Sequence, residues 1–559
     1  MAGTLPEPVL RHYHRDPDRV YVRCLDADGS GEEVTYRRLV ERGAQLSAAM
    51  EGAGGAPGGF VVVLLPHSPD LYCALFGAML GGHVPALLPV PSFKLDPAYQ
   101  AAELDALARH IAAAVLVTDA QTAGRLDGTG VGLSHLRVVL CDRLPAAAVP
   151  IPETRASEDD VALLQHSSGS TGLKKGVALT HRAVMRQIET YAPTLGLRPD
   201  DHIASWLPLY HDMGLIACAI LPALLGVPVT ALSPFHWVTR PAALLRAVDR
   251  HRCTLAWMPN FAFEFLAARV RDSQIEGVSL ASMRAWINCS EPTLAESHRR
   301  FVRRYATRGV RPEHLWTCYA AAEATFAITQ SSDRAPPRVE GLDREAFIGN
   351  GVAVPADAGA VMEAMSAGVP LEGTRIRIVD GEGQDLPGRR IGEIAVQSES
   401  LFSGYFRRPE STAAVLRDGW YYSGDLGYLS DGHLFVTGRK NDLIIVAGRN
   451  YYPQDIERAV GEVRGVHEGR VVALGVDDPA LGTQRLVVLA EVDDPALVDD
   501  LDLASRVRES VAARFDCAID DLRLLPHMWL LKTSSGKIAR APNRQRYLRE
   551  LATPVTNGD

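Results

Sequence analysis

Short apolar runs alternate with helix-like stretches along most of the chain. Residues 60–65 (FVVVLL) are apolar without a break and stop at Pro66, the pattern of a strand buried on both faces of a parallel sheet. Ser68, Pro69 and Asp70 follow as a capping hydroxyl, a first-turn proline and a first-turn acid, and they open an apolar helix that runs to Gly81 and Gly82. Residues 115–117 and 138–140 are two further strands. This alternation predicts an α/β architecture with parallel sheets. Residues 52–59 (GAGGAPGG) read as a flexible turn and not as a ligand loop, and no internal repeat is present. Near 439–441 the rhythm changes. Residues 471–476 and 486–492 are strands, and Leu503, Val507, Val511 and Phe515 recur every fourth position to make one apolar helix face. The last segment therefore reads as a small α+β domain, with a frayed tail over 552–559.

Composition narrows the class. At 559 residues and 60.5 kDa the chain exceeds a single core and suits two or more domains. Hydrophobic residues at 47% and charged residues at 22% exclude disorder, collagen and coiled coil as the main theme. A net charge of −9 is not that of a chain built for bulk nucleic-acid binding. The eight cysteines form no CxxC pair, so a zinc site is not expected, and such sparse thiols suit a reducing, cytoplasmic setting. Residues 1–21 lack the apolar core of a signal peptide. The longest run free of polar side chains, 213–229, contains Gly214, Pro222, Gly226 and Pro228, which fits a buried core segment better than a membrane span.

Four segments carry candidate chemistry. In residues 164–176 (LQHSSGSTGLKKG) an apolar strand enters a loop of glycines and hydroxyls followed by lysines. Glycines let backbone N–H groups approach an anion, hydroxyls add donors, and a lysine adds charge. It is not a Walker A loop, and a flexible polar turn is the bland alternative. In residues 421–427 (YYSGDLG) an Asp between glycines can accept hydrogen bonds from a ribose diol, or it can sit in a plain turn. Residues 438–450 (GRKNDLIIVAGRN) are a charged stretch before a strand and a glycine turn, and a solvated linker would look the same. Residues 532–540 (KTSSGKIAR) form a basic loop near the C-terminus.

In this order and spacing, together with residues 206–214 (WLPLYHDMG), 288–292 (NCSEP) and 319–325 (YAAAEAT), these segments resemble the adenylate-forming superfamily of acyl-CoA synthetases, fatty acyl-AMP ligases, luciferases and peptide-synthetase adenylation domains. The resemblance covers nearly the whole chain. It implies a large α/β N-terminal domain (1–439) with parallel-rich sheets and a distorted β-barrel subdomain, and a small mobile α+β C-terminal lid (440–559). It also implies two half-reactions. A carboxylic acid attacks the α-phosphate of ATP, with Mg²⁺, to give acyl-AMP and pyrophosphate; then a thiol of coenzyme A or of a pantetheinyl acyl carrier protein takes the acyl group.

By the same resemblance Ser167, Ser168, Gly169, Ser170, Thr171, Gly172 and Lys175 belong to the phosphate loop. Ser290, Glu291, Tyr319 and Ala320 lie at the nucleotide, Glu323 holds Mg²⁺, and Asp425 and Arg439 take the ribose. Lys537 bridges the substrate carboxylate and the α-phosphate, where a cation stabilises the charge that develops in the transition state. His211 sits near the reacting carboxylate or is a packed wall residue. Gly448 lines the pantetheine tunnel. Trp237, Trp257, Met258, Asn260 and Phe261 are candidates for a hydrophobic acid pocket, their bulk favouring a short or ring-bearing acid as readily as a long one. Residues 206–215 and 448–457 are most similar to fatty acyl-AMP ligases. So is the 102-residue span from Glu323 to Asp425, which is longer than in ordinary acyl-CoA synthetases by about 20 residues. The extra chain maps to 335–368, and in fatty acyl-AMP ligases such an insertion is linked to restricting the second pose so that a carrier protein is the acceptor.

Three departures from the family pattern bear on mechanism. Cys289 and Ala320 stand where glycines usually flank the adenine, and overpacking of that kind costs about 1–3 kcal/mol. Lys174, the third, replaces the usual proline of the phosphate loop. Apart from these, Asn441 stands at the hinge position, where a neutral amide still permits rotation. An enzyme that takes preformed acyl-AMP and performs only thioesterification is therefore an alternative, and a non-catalytic binding homologue is a more distant one.

Overall fold

The apolar runs pair as expected. In the computed structural model, which describes residues 3–551 except 27, 92–96, 146, 154–155, 167–173, 357, 359–360, 447–448, 479–482, 516 and 533–537, strand Phe60–Leu64 lies inside a four-stranded parallel sheet. Its neighbours are Val84–Leu87 on one side and Val115–Thr118 then Arg137–Leu140 on the other. Helix Pro69–Leu80 buries every residue except Asp70. It crosses helix Tyr36–Gly52 at two glycines: a Cβ on Gly77 would stand 2.5 Å from the Gly43 carbonyl oxygen, so only glycine permits that approach.

A nine-stranded sheet forms the largest core. Its six central strands are parallel and run in the order Leu315–Ala320, Ala285–Cys289, Leu255–Met258, Ile203–Ser205, Val229–Leu232, Val20–Leu25. Antiparallel strands close both edges. The carboxyl ends of the central strands share one rim, the place where open α/β sheets bind ligands. The apolar run 213–229 packs beside this sheet as a π-helical segment Met213–Ile220 and a short helix Leu221–Leu225, fully buried but for Leu225 and the end of the connection to the strand at Val229. Gly214 is required there because a Cβ would meet the Pro208 carbonyl oxygen at 2.3 Å. No helix among the described residues is long and apolar enough to cross a membrane.

Two antiparallel sheets follow. One has the order Arg375–Val379, Gly392–Gln397, Trp420–Ser430, Leu416–Arg417, with His433–Arg439 also paired to the long strand. The other pairs Gly404–Tyr405, Gly176–Thr180 and Val161–His166. They stand where a distorted barrel is expected, and among the described residues they are not joined into a closed one.

The smaller C-terminal domain is built on the strands Val466–Asp478, Thr483–Val492 and Asp521–Leu525 and the helices Pro453–Gly461, Leu501–Phe515 and Arg540–Glu550. Both long strands extend beyond the runs visible in the sequence, and Leu503, Val507 and Val511 are buried as their spacing predicts. Within 335–368, strands Val339–Asp343 and Val361–Met365 form a hairpin that carries helix Arg344–Asn350. Its Leu342, Phe347, Ile348 and Ala353 share one hydrophobic core with Tyr452, Ile456 and Val460 of the C-terminal domain.

Candidate active site

Strand Trp420–Ser430 and its partner His433–Arg439 place Asp425 directly opposite Arg439. The Arg439 Nε donates to Asp425 Oδ1 at 3.1 Å, and the Tyr319 hydroxyl donates to Asp425 Oδ2 at 2.7 Å. Tyr319 lies near the end of a central strand of the large sheet, so this bond ties the sheet rim to the hairpin. Asp425 holds Arg439 more firmly protonated than an ordinary arginine, while burial, then Asp425, push the Tyr319 phenol well above its usual range. Each carboxylate oxygen keeps a lone pair for a further donor such as a ribose hydroxyl.

A second constellation surrounds Glu323. The Tyr405 hydroxyl donates to Glu323 Oε1 at 2.7 Å, and Lys175 Nζ stands 4.5 Å from the Tyr405 ring centroid. The Lys175 segment and Tyr405 meet because Gly404–Tyr405 pairs with Gly176–Thr180. Tyr421, buried, feels the charge of both Glu323 and Asp425, so the two constellations adjoin. Two non-glycine residues at this rim adopt left-handed backbone: Ser290 at φ +69° and Thr325 at φ +66°. Thr325 is held there by its hydroxyl, which donates to the Ser400 carbonyl at 2.6 Å. Such strain collects at functional sites.

Glu323 suits a magnesium ion of the kind held by one carboxylate plus substrate phosphates and water. Its Oε1 is oriented by Tyr405, and no group of three or more metal-ligating side chains forms an all-protein cage among the described residues.

The family model described as an AMP-binding enzyme matches residues 9–406, well over half of the chain. The chain belongs to the AMP-binding enzyme family. A relative, the medium-chain-fatty-acid--[acyl-carrier-protein] ligase JamA of Moorena producens, is 29% identical over 559 residues, covering 96% of this chain and 94% of the relative. The long-chain-fatty-acid--AMP ligase FadD26 of Mycobacterium marinum is 30% identical over 554 residues, covering 94% and 93%. Among solved structures, one from studies of fatty acyl-adenylate ligases of E. coli and L. pneumophila superposes with a TM-score of 0.90 at 27% identity, covering 98% of this chain and 97% of the other. This AMP-binding enzyme is thus a ligase of the acyl-AMP-forming kind, and ATP and AMP are its nucleotides.

The remaining expected residues fall in several places. Ser167, Ser168, Gly169, Ser170, Thr171, Gly172, Gly448 and Lys537 lie outside the described residues. His211 lies half-buried at the turn into the π-helical segment, its ring 4.9 Å from that of Tyr210. The following Met213 sits under Ser290, sulfur to hydroxyl 3.9 Å. Glu291 accepts the Phe261 backbone N–H at 2.9 Å, which joins the nucleotide rim to the candidate acid pocket. In that pocket Trp237 stacks on Trp206 at 3.6 Å and 7°, with Phe261 edge-on to both. Trp257 is fully buried and donates its indole N–H to the Tyr191 hydroxyl at 2.8 Å, and Met258 is equally buried. The Asn260 amide is occupied by Asn288, Leu294 and Ser297, a structural network.

Ala320 is half-buried at the end of its strand. Cys289 is fully buried and opposite Cys318 on the neighbouring strand, so its sulfur is taken up in the core beside that thiol. Lys174 pairs with Glu103 at 3.5 Å. Tyr405 and Tyr421 were not singled out from the sequence, because an aromatic residue in a strand looks like core until its hydroxyl partner is known.

Proposed function

We propose that this enzyme activates a hydrophobic carboxylic acid as acyl-AMP and passes the acyl group to the pantetheine thiol of a carrier protein in preference to coenzyme A. The observation that carries the first half is the meeting of Asp425, Arg439 and Tyr319 with Glu323, Tyr405 and Lys175 around buried Tyr421. Asp425 receives the ribose hydroxyls. Lys175 and the 167–172 loop cradle the phosphates. Glu323 would hold Mg²⁺, which would neutralise phosphate charge. A carboxylate oxygen of the acid attacks the α-phosphorus, and the bond to the bridging pyrophosphate oxygen breaks. Lys537 offsets the charge that develops. The pantetheine sulfur then attacks the acyl carbonyl and AMP leaves, with Gly448 leaving room for the incoming arm.

The proposed domain boundary at 439/440 is supported by the change there from strand His433–Arg439 to the Lys440–Asp442 turn. The preference for a carrier protein is supported by the core that the 335–368 hairpin shares with the C-terminal domain, since a swing of that domain must break it. Carrier-protein use also appears in the name of the Moorena producens relative. The Trp206–Trp237 stack beside Phe261 supports an acid site with aromatic walls.

The test is a half-reaction panel: ATP–pyrophosphate exchange over a set of acids, followed by transfer to CoA and to a carrier protein. Exchange with hydrophobic acids and transfer to the carrier protein are expected. Thioester formation only from supplied acyl-AMP, without exchange, would overturn the proposal.

A further inference from the structure

On the rim of the large sheet opposite the site just described lies an open cavity of about 890 Å³. It runs along the amino-terminal ends of five adjacent parallel strands, those starting at Val20, Val229, Ile203, Leu255 and Ala285. Arg19, Arg23, Arg198, Arg252 and Arg284 line it, against only two carboxylates, Asp200 and Asp201. Asp201 is already fully engaged. Arg284 grips it with Nε at 2.8 Å and Nη2 at 2.6 Å, and the Thr254 hydroxyl and the Arg198 backbone N–H donate to it at 2.7 Å each. Arg23 pairs with Glu33 at 2.8 Å, and Arg19 donates to the Gly226 carbonyl. The Arg198 and Arg252 guanidiniums have no ion-pair partner among the described residues. In a chain of net charge −9, this is a local excess of unneutralised cations facing a concavity.

Two further observations mark it as a site. Arg252 follows helix Ala242–His251 at φ +49° and ψ 46°, a left-handed position that helices normally give to glycine. Beside it, His251 Nε2 is buried and has no hydrogen-bond partner among the described residues, yet the residue lines the cavity. Burial, with the cationic Arg23 and Arg250, lowers the pKa of this imidazole, and burial, Arg23 and His251 lower that of His202 to about 4. No Phe, Tyr or Trp lines the cavity, so it offers no such platform for stacking a nucleobase. Forked guanidiniums without such a platform select a compact, densely charged anion.

We propose that this cavity is a second ligand site, distinct from the adenylate site, that binds a short inorganic polyphosphate chain through Arg19, Arg198 and Arg252. Such a chain could be pyrophosphate released by the enzyme's own first half-reaction or a longer polyphosphate from solution. Binding does not depend on the activity proposed above, so failure of one leaves the other standing.

The test is isothermal titration of the full-length protein at low salt with pyrophosphate, tripolyphosphate and citrate. Each titration is repeated on Lys175→Ala, which removes the cation of the adenylate site's own phosphate cradle. Arg198→Ala and Arg252→Gly are compared with wild type. Both side chains are exposed, and glycine relieves the left-handed strain at 252, so that variant should melt no lower than wild type. Expected is a polyphosphate site unchanged by Lys175→Ala and weakened at least tenfold in Arg198→Ala and in Arg252→Gly, with affinity falling steeply as salt rises. Tighter binding of pyrophosphate than of tripolyphosphate would make the enzyme's own product the source, and the reverse order would make solution polyphosphate the source. Loss of binding in Lys175→Ala, wild-type affinity in Arg198→Ala and Arg252→Gly, or equal affinity for citrate would each overturn the proposal.

Discussion

Phe347→Ala tests the coupling between the 335–368 hairpin and the C-terminal domain. Phe347 is 3% exposed, its ring centroid is 5.7 Å from that of Tyr452, and it belongs to one hydrophobic core with Leu342 and Ile348 of its own segment and Ile456 and Val460 of the C-terminal domain. Truncating a buried phenylalanine costs about 3–5 kcal/mol. If the contacts divide evenly, about 1.5–2.5 kcal/mol belongs to the interface with the lid and the rest to packing within the hairpin. Only the interface share would be lost in the proposed swing of the C-terminal domain, so the mutation should raise the relative population of the second pose about 10- to 70-fold. Acyl-CoA formation from acid, ATP and CoA should rise by a similar factor, up to the point where another step limits it. ATP–pyrophosphate exchange should stay within about twofold of wild type, because Asp425 and Glu323 lie outside this core. If the melting temperature falls while CoA transfer stays at the wild-type level, the hairpin is a surface elaboration and the reasoning about the acceptor fails.

Removing the Tyr319 hydroxyl with Tyr319→Phe should raise KM for ATP about fivefold at nearly constant kcat, the effect of one lost hydrogen bond of about 1 kcal/mol to a binding carboxylate; an unchanged KM would mean that Arg439 alone orients Asp425. Lys537→Ala should cripple pyrophosphate exchange and spare transfer from supplied acyl-AMP, and equal loss of both half-reactions would contradict its assignment. Trp237→Ala removes one face of the 3.6 Å indole stack and should shift the exchange profile toward bulkier acids, at a stability cost of about 3–5 kcal/mol; an unchanged profile would put the acid elsewhere. Stability should also depend on acidity through four buried histidines. Burial lowers His166 to about 3, with help from Lys174 and His110, and lowers His181, His202 and His298 to about 4. Unfolded histidines bind protons near 6.5 whereas these native ones do not, so their stabilisation is complete above about pH 6.5 and is lost as pH falls toward 3–4, by about 1.4 kcal/mol per pH unit for each. Urea midpoints from pH 7.5 to 5 should show this slope, and His166→Phe should flatten it by about one proton; an identical slope in the variant would show that His166 is not the group responsible.

Much of the fold is legible in the sequence where one local pattern decides the outcome. Residues 60–80 fall into a strand and a helix because an uninterrupted apolar run stops at Pro66 and a first-turn proline and acid follow. The helix Leu501–Phe515 shows itself by its four-residue apolar spacing. Pocket residues are less legible, because a tryptophan, a methionine and an asparagine beside a strand end look alike whether they line a cavity or fill a core. For Trp257 and Asn260 the decision lies with Tyr191, Asn288 and Ser297, positions that local pattern cannot connect to them. By family pattern Cys289 crowds the adenine, whereas the strand register sets it opposite Cys318 and takes its sulfur into the core.

The same long-range pairing explains why two motifs 102 residues apart act at one place. Gly404–Tyr405 adds an edge to strand Gly176–Thr180, which delivers Tyr405 to Glu323. The long strand Trp420–Ser430 lies against Gly392–Gln397 and His433–Arg439, which delivers Asp425 to Arg439 and Tyr319. Tyr421, four residues before Asp425 on that strand, is buried and feels the charge of both carboxylates. Each acid has its own hydroxyl donor, Tyr319 for Asp425 and Tyr405 for Glu323, and each constellation carries a cation, Arg439 on Asp425 and Lys175 over the Tyr405 ring. Polarity of that kind suits a ligand with hydroxyls at one end and phosphates at the other, and it leaves the aromatic walls near Phe261 to the acid.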